Sequence, residues 1–187
     1  MKKLLISLLI FGVITQCFAD GHFDGNDAIV VQDPGANSPM DTTDAITIVS
    51  WARADPSTLG GQDGGPDNQI IMNKDEYVGN SRTSIGPEIA VGDNHNSVDN
   101  AGYFTYYLPG VSEDSAGNLP EAGSGWKTGS TDPIFKDGEW HMVAITYNKT
   151  SGRLLTYVDG ELQKNVSAQG SIGTNDGSIM VAARGAD

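Results

Sequence analysis

The side chains that could do chemistry in this sequence are mostly carboxylates and amides. Gly92 to Asn100 reads GDNHNSVDN, so Asp93, Asn94, Asn96, Asp99 and Asn100 crowd one short loop. A hard cation such as calcium takes several oxygens from groups of this kind. The spacing is not that of an EF-hand and the closing glutamate is missing. The commoner behaviour of Asx side chains, capping turns through nearby backbone, is therefore the stronger reading of the loop alone. Cleavage of a glycosidic bond needs an acid and a nucleophile or base at a set separation, which a strand supplies from alternate residues. No strand here offers that pair. Glu113, Asp114 and Glu121 fall in a polar loop, Asp75 and Glu76 are adjacent and would face opposite ways, and Glu88 stands alone. The histidines, His22, His95 and His141, lie far apart with no HExxH pairing. There is no nucleophile elbow and no GxxxxGK phosphate loop.

Aromatic side chains are the better candidates for ligand contact. A sugar ring offers an apolar face to an aromatic ring while its hydroxyls bond polar neighbours. Trp126 sits among flexible residues in GSGWKTGS, with Tyr103, Tyr106 and Tyr107 upstream. It reads equally as a ligand contact or as a lid over one end of the core. Strand alternation sets Tyr106 on the face opposite Tyr103 and Tyr107, so the ligand candidates are Trp126, Tyr103 and Tyr107. Trp51 and Trp140 lie inside apolar strand patterns and are expected in the core.

The elements that must carry these residues are strands. Short β-branched or aromatic runs recur at Asp27–Gln32, Asp44–Ala54, Gln69–Asn73, Thr83–Val91 and Gly102–Leu108, each bounded by Gly, Pro or Asx residues. The segment from Pro109 to Pro133 is long and polar, with part of it expected to pair. Trp140–Tyr147, Arg153–Val158 and Glu161–Lys164 form a three-stranded meander. Its first loop is NKTSG and its second is Asp159-Gly160, a pair suited to a two-residue turn with positive φ. Val143, Ile145 and Tyr147 share one face with His141, and both faces are apolar enough for a central strand of a covered sheet. The class is all-β.

Residues 1–19 have a basic start, an apolar stretch too short to span a bilayer and a small-residue ending at Ala19, the pattern of a secretory signal peptide. Residues 20–187 are then one exported domain, secreted, periplasmic or at the cell surface. Without Lys2 and Lys3 the 11 basic residues become 9 against 24 acids, a net charge of −15. Nucleic acid and anionic membranes, which select for clustered Lys and Arg, are poor partners for such a chain. The only cysteine, Cys17, is in the leader, so the domain has no disulfide or thiol chemistry.

Five motifs in order carry a resemblance: Phe23-Asp24-Gly25-Asn26-Asp27, Ile46-Thr47-Ile48-Val49-Ser50-Trp51, Asn73-Lys74, Trp140-His141-Met142-Val143-Ala144 and Tyr157-Val158-Asp159-Gly160. The chain resembles the laminin G-like, concanavalin A-like domains, which implies an antiparallel β-sandwich of the jelly-roll type. The resemblance also implies a structural calcium near Asp24 and Asp27. In such domains a final strand follows one like Ser178–Arg184 and pairs with the first; here the sequence stops at Asp187, so a C-terminally truncated domain is expected. The function expected is a secreted, non-catalytic carbohydrate-binding or adhesive module, its partner a glycan or a cell-surface or envelope protein. A protein-interaction or envelope-structural role is the alternative, and a glycoside hydrolase is the weakest reading.

Overall fold

A computed structural model describes residues 29–35, 38–59, 68–78, 81–84, 86–92, 101–113 and 126–181. In chain order its strands are β1 (Ile29–Val31), β2 (Ala45–Ala52), β3 (Asn68–Lys74), β4 (Glu76–Val78), β5 (Ser81–Ser84), β6 (Glu88–Gly92) and β7 (Phe104–Tyr107). They continue with β8 (Val111–Glu113), β9 (Lys127–Thr128), β10 (His141–Asn148), β11 (Arg153–Val158), β12 (Glu161–Gly170) and β13 (Ile179–Val181). Two antiparallel sheets result, in the orders β1-β13-β3-β6-β7-β9 and β2-β10-β11-β12-β8, with β4 and β5 as a separate hairpin. This is the sandwich that the all-β reading and the resemblance implied.

The meander forms as its sequence dictates. Asp159 and Gly160 take φ of 50° and 85°, the turn that reverses β11 into β12. A bulge after Thr156 shifts the register so that Tyr157 faces Leu162 and Thr156 faces Lys164. β12 runs on to Gly170, six residues beyond its expected end, because β11 pairs with it as far as Ser167 and β8 then pairs with Ala168 to Gly170. The long polar segment is therefore partly strand, in β8 and β9. Glu113, expected in a loop, closes β8 opposite Ala168.

Between the sheets Phe104, Tyr106, Val143, Ile145, Tyr147 and Leu154 are essentially inaccessible. Each comes from the inward parity of its strand. Tyr147 keeps its hydroxyl satisfied by donating to the Gly170 carbonyl at 2.7 Å.

Two expectations about this core are corrected. Trp51 is 63 % exposed and Trp140 is 41 % exposed. Burial along β2 alternates strictly, with Ile46, Ile48, Ser50 and Ala52 the more buried set, so Trp51 shares the outward parity of Val49. Trp140 precedes β10 at the parity of Met142, again outward, and its ring lies 5.6 Å from the Arg53 guanidinium. Apolar pattern alone does not say which side of a sheet the other sheet covers. Trp140→Ala is accordingly expected to cost about 1 kcal/mol, the scale of an exposed cation–π contact with some lost packing, measured by denaturant unfolding.

The first strand has a partner: Ile29–Val31 pairs with Ile179–Val181 in antiparallel register. Its other side is the edge of the six-stranded sheet among the described residues.

Beside this edge sits a buried ionic node. Lys74, 4 % exposed, closes β3 and places its ammonium 2.8 Å from the Asp33 carboxylate and 3.2 Å from that of Asp41. It also donates to the Asn175 carbonyl, while the Asn175 amide donates back to the Lys74 carbonyl at 3.0 Å. One side chain thus fastens the segment after β1 and the segment before β13 to the middle of the sheet.

Candidate functional site

Three places gather polar or aromatic groups. The first holds the sequence-nominated ligand residues. Trp126 and Tyr107 meet with ring centroids 6.2 Å apart, on the side of the six-stranded sheet that faces away from the main core. Trp126 is only 5 % exposed and packs with Ile70 and Ala90, so the indole is placed as a lid. Tyr103 lies four residues before Tyr107, just ahead of β7, roughly 13 Å away at the strand rise. Nearby, Tyr106, Tyr107, Val111, Glu113 and Lys127 help line a cleft of about 290 Å³. Within it the Tyr106 hydroxyl donates to Glu113 at 2.6 Å. Burial first, and then the Glu113 charge and hydrogen bond, hold that phenol above its ordinary pKa, so it stays protonated as a donor.

The same sheet face carries Glu88 directly opposite Asn73, and Asn73 donates to Asp75 at 3.2 Å. All three are buried. Among the described residues no group of three or more His, Cys, Asp or Glu is placed to hold a metal. Both proposed calcium loops lie outside the described residues: Asp24 and Asp27 in one, Asp93, Asn94, Asn96 and Asp99 in the other.

The second place is His141, at the start of β10. Its Nδ1 lies 2.7 Å from Asp159 and its Nε2 3.1 Å from Asp137, while its ring packs edge-on to Phe135 at 5.8 Å. One imidazole thus bridges the β11–β12 turn to the short 3-10 turn Ile134–Asp137. Partial burial disfavours the imidazolium, but the hydrogen bonds to Asp159 and Asp137 outweigh it and raise the pKa above 6.5. A raised histidine pKa adds stability that is fully present below the unfolded value and is lost as pH rises through the folded one. Asp137 and Asp159 are shifted down. Asp137 is lowered chiefly by the backbone N–H of Glu139, and Asp159 chiefly by His141. Their contribution is present above the ordinary carboxylate range and fades as pH falls through their lowered pKa values. Thermal melts should show His141→Gln losing most at mildly acidic pH and converging on the parent at pH 9. Equal losses at both pH values would show that imidazole charge has no part in the bridge.

The third place was not foreseen. It is the outward face of the five-stranded sheet, whose rows follow from the strand register. Arg53 and Trp140 lie at its top, then Trp51 beside Met142. The next row runs Val49, Ala144, Tyr157, Leu162, and the one after it Thr47, Thr146, Leu155, Asn165. Val49 is 57 % exposed and Leu162 52 %, so the row is open at both ends. The signal was present in the sequence: the parity of Trp51 and Trp140 is opposite to that of Ile48 and Val143.

With this architecture in view, the profile of the concanavalin A-like lectin/glucanases superfamily matches residues 23–187. The chain belongs to this superfamily. No curated protein matches it. The two-sheet lectin/glucanase frame explains why the motif residues Trp51, Lys74, His141 and Asp159 sit where they do. Trp51 and His141 mark the two sides of the five-stranded sheet, Lys74 ties the ends of the described chain to the other sheet, and Asp159 makes the meander turn. Among the described residues no helix is long and apolar enough to cross a membrane.

Proposed function

We propose that this lectin/glucanase-fold domain is a secreted, non-catalytic carbohydrate-binding or adhesive module. The observation that supports it best is the Trp51 indole, 63 % exposed on a sheet face that also bears Trp140 and Tyr157. Exposed aromatic area costs solvation free energy unless a ligand covers it, and a rigid ring with few torsions is a low-entropy platform for a sugar face. The non-catalytic part rests on the sequence, where no strand offers carboxylates on alternate residues.

Docking of a cell-surface or envelope protein is the second reading, favoured by the aliphatic groups Val49 and Leu162 in the same row. Retention on immobilised polysaccharides separates the two. Retardation by at least one polysaccharide, reversed by the same polymer in solution, is expected. Absence of retardation by every polysaccharide would transfer the reading to a protein partner, and release of reducing ends would replace it with a hydrolase.

A further inference from the structure

The outward face of the five-stranded sheet differs from the rest of the molecule in charge. The chain carries 24 acidic residues against 11 basic ones. Yet the outward positions of β2, β10, β11, β12 and β8 hold none of the acids. They read Ala45, Thr47, Val49 and Trp51; Met142, Ala144, Thr146 and Asn148; Arg153, Leu155 and Tyr157; Leu162, Asn165, Ser167 and Gln169; and Ser112 on the edge. The two arginines at its margins are engaged, Arg53 over the Trp140 ring and Arg153 with Asn165 and Ser167. Among the described residues, acids border this face at the turns, where Asp159 holds His141 and Asp44 pairs with Lys149.

We infer that this face is the binding surface for an extended, uncharged polysaccharide, lying across the strands from Trp51 toward Tyr157 and Leu162. The inference rests on the glycan reading above and names its ligand class and site. Three features carry it. The platform is a sheet face whose outward rows run across neighbouring strands, which fits a chain laid along it. Its apolar groups are interleaved with hydroxyls and amides: Thr47, Thr146, Tyr157 and Asn165 flank the aromatic and aliphatic positions, a mixture suited to sugar faces bordered by hydroxyls. Finally, its own lack of charge lies in a field set by a net charge of −13, which repels an acidic polymer at every approach. The same field opposes a second copy of the chain as the occupant, since both copies carry it. Neighbouring strands are about 4.8 Å apart, so Trp51 on β2 and Tyr157 on β11 are separated by about 10 Å across the sheet, room for more than one sugar ring between them.

The experiment is affinity electrophoresis of the full chain in gels containing a neutral polymer (β-glucan, xyloglucan or mannan) or an acidic one (alginate or polygalacturonate), repeated with Trp51→Ala and Trp51→Phe. Thermal melts of each variant accompany it. Retardation by a neutral polymer is expected, weakened about 30-fold in Trp51→Ala with an unchanged melt and partly kept in Trp51→Phe, the scale of losing a central aromatic contact. Retardation by the acidic polymers alone would overturn the uncharged class while leaving the glycan reading in place. Retardation by a neutral polymer that survives both substitutions would overturn the site. No retardation by any polymer would remove the glycan reading itself.

Discussion

Replacement of Lys74 by alanine should lower the unfolding free energy by about 3 to 5 kcal/mol, because it strips the cation from a buried carboxylate site. The Asp33 side chain is fully enclosed and that of Asp41 nearly so, and both face the same ammonium. Without it, a carboxylate must stay charged in a poorly solvated place or take up a proton. The hydrogen bonds from Lys74 to Asn175 would go as well, loosening the segment that leads into β13. The pH dependence gives a second check. Lys74 holds the Asp33 carboxyl below its ordinary pKa, mainly through the hydrogen bond between them. That contribution is present above the unfolded carboxylate range and is lost as pH falls through the lowered value. The parent should therefore lose stability on acidification that Lys74→Ala has already lost, and Lys74→Ala combined with Asp33→Asn should recover part of the deficit. Urea unfolding at pH 7 and at about pH 2.5, below the ordinary carboxylate range, tests all three. A loss below about 0.5 kcal/mol at pH 7 would mean that the node is solvated and not buried.

The second large effect is expected at Trp126. Trp126→Ala should cost about 3 kcal/mol, the low end of the range for a buried indole, since the cluster beneath it is small. Ile70, Ala90 and Tyr107 would be uncovered together. Glycan retention should persist wherever the variant remains folded, because the proposed platform lies on the other sheet. An unchanged melt with abolished retention would reverse the assignment and restore Trp126 as a ligand contact. Near-ultraviolet circular dichroism, which follows the ring packed against Tyr107, would show whether the lid alone or the whole domain has loosened.

Much of the fold was legible because its causes are local. Strand alternation, the Asp159-Gly160 turn and the inward parity of Val143, Ile145 and Tyr147 depend on neighbours within a few residues. The sign of the charge, the single cysteine and the spacing of the carboxylates were equally open to inspection in the chain itself. Motif order even pointed to the lectin/glucanase frame, although it gave no reason for Asn73-Lys74. That reason appears only when Asp33, Asp41 and Asn175 converge on one ammonium from positions up to 101 residues away.

What the sequence by itself determined was periodicity: which residues of a strand share a side. Which side is covered was decided by the tertiary structure, through the stacking of one sheet on the other and the segment that folds over the outer sheet face. Trp51 and Trp140 belong to apolar runs yet face water, while Trp126, set among glycines and serines, is enclosed. The physical reason is that burial is a property of the space between elements. A period of two divides a strand into two equal faces, and nothing in that period distinguishes the face that another sheet will meet.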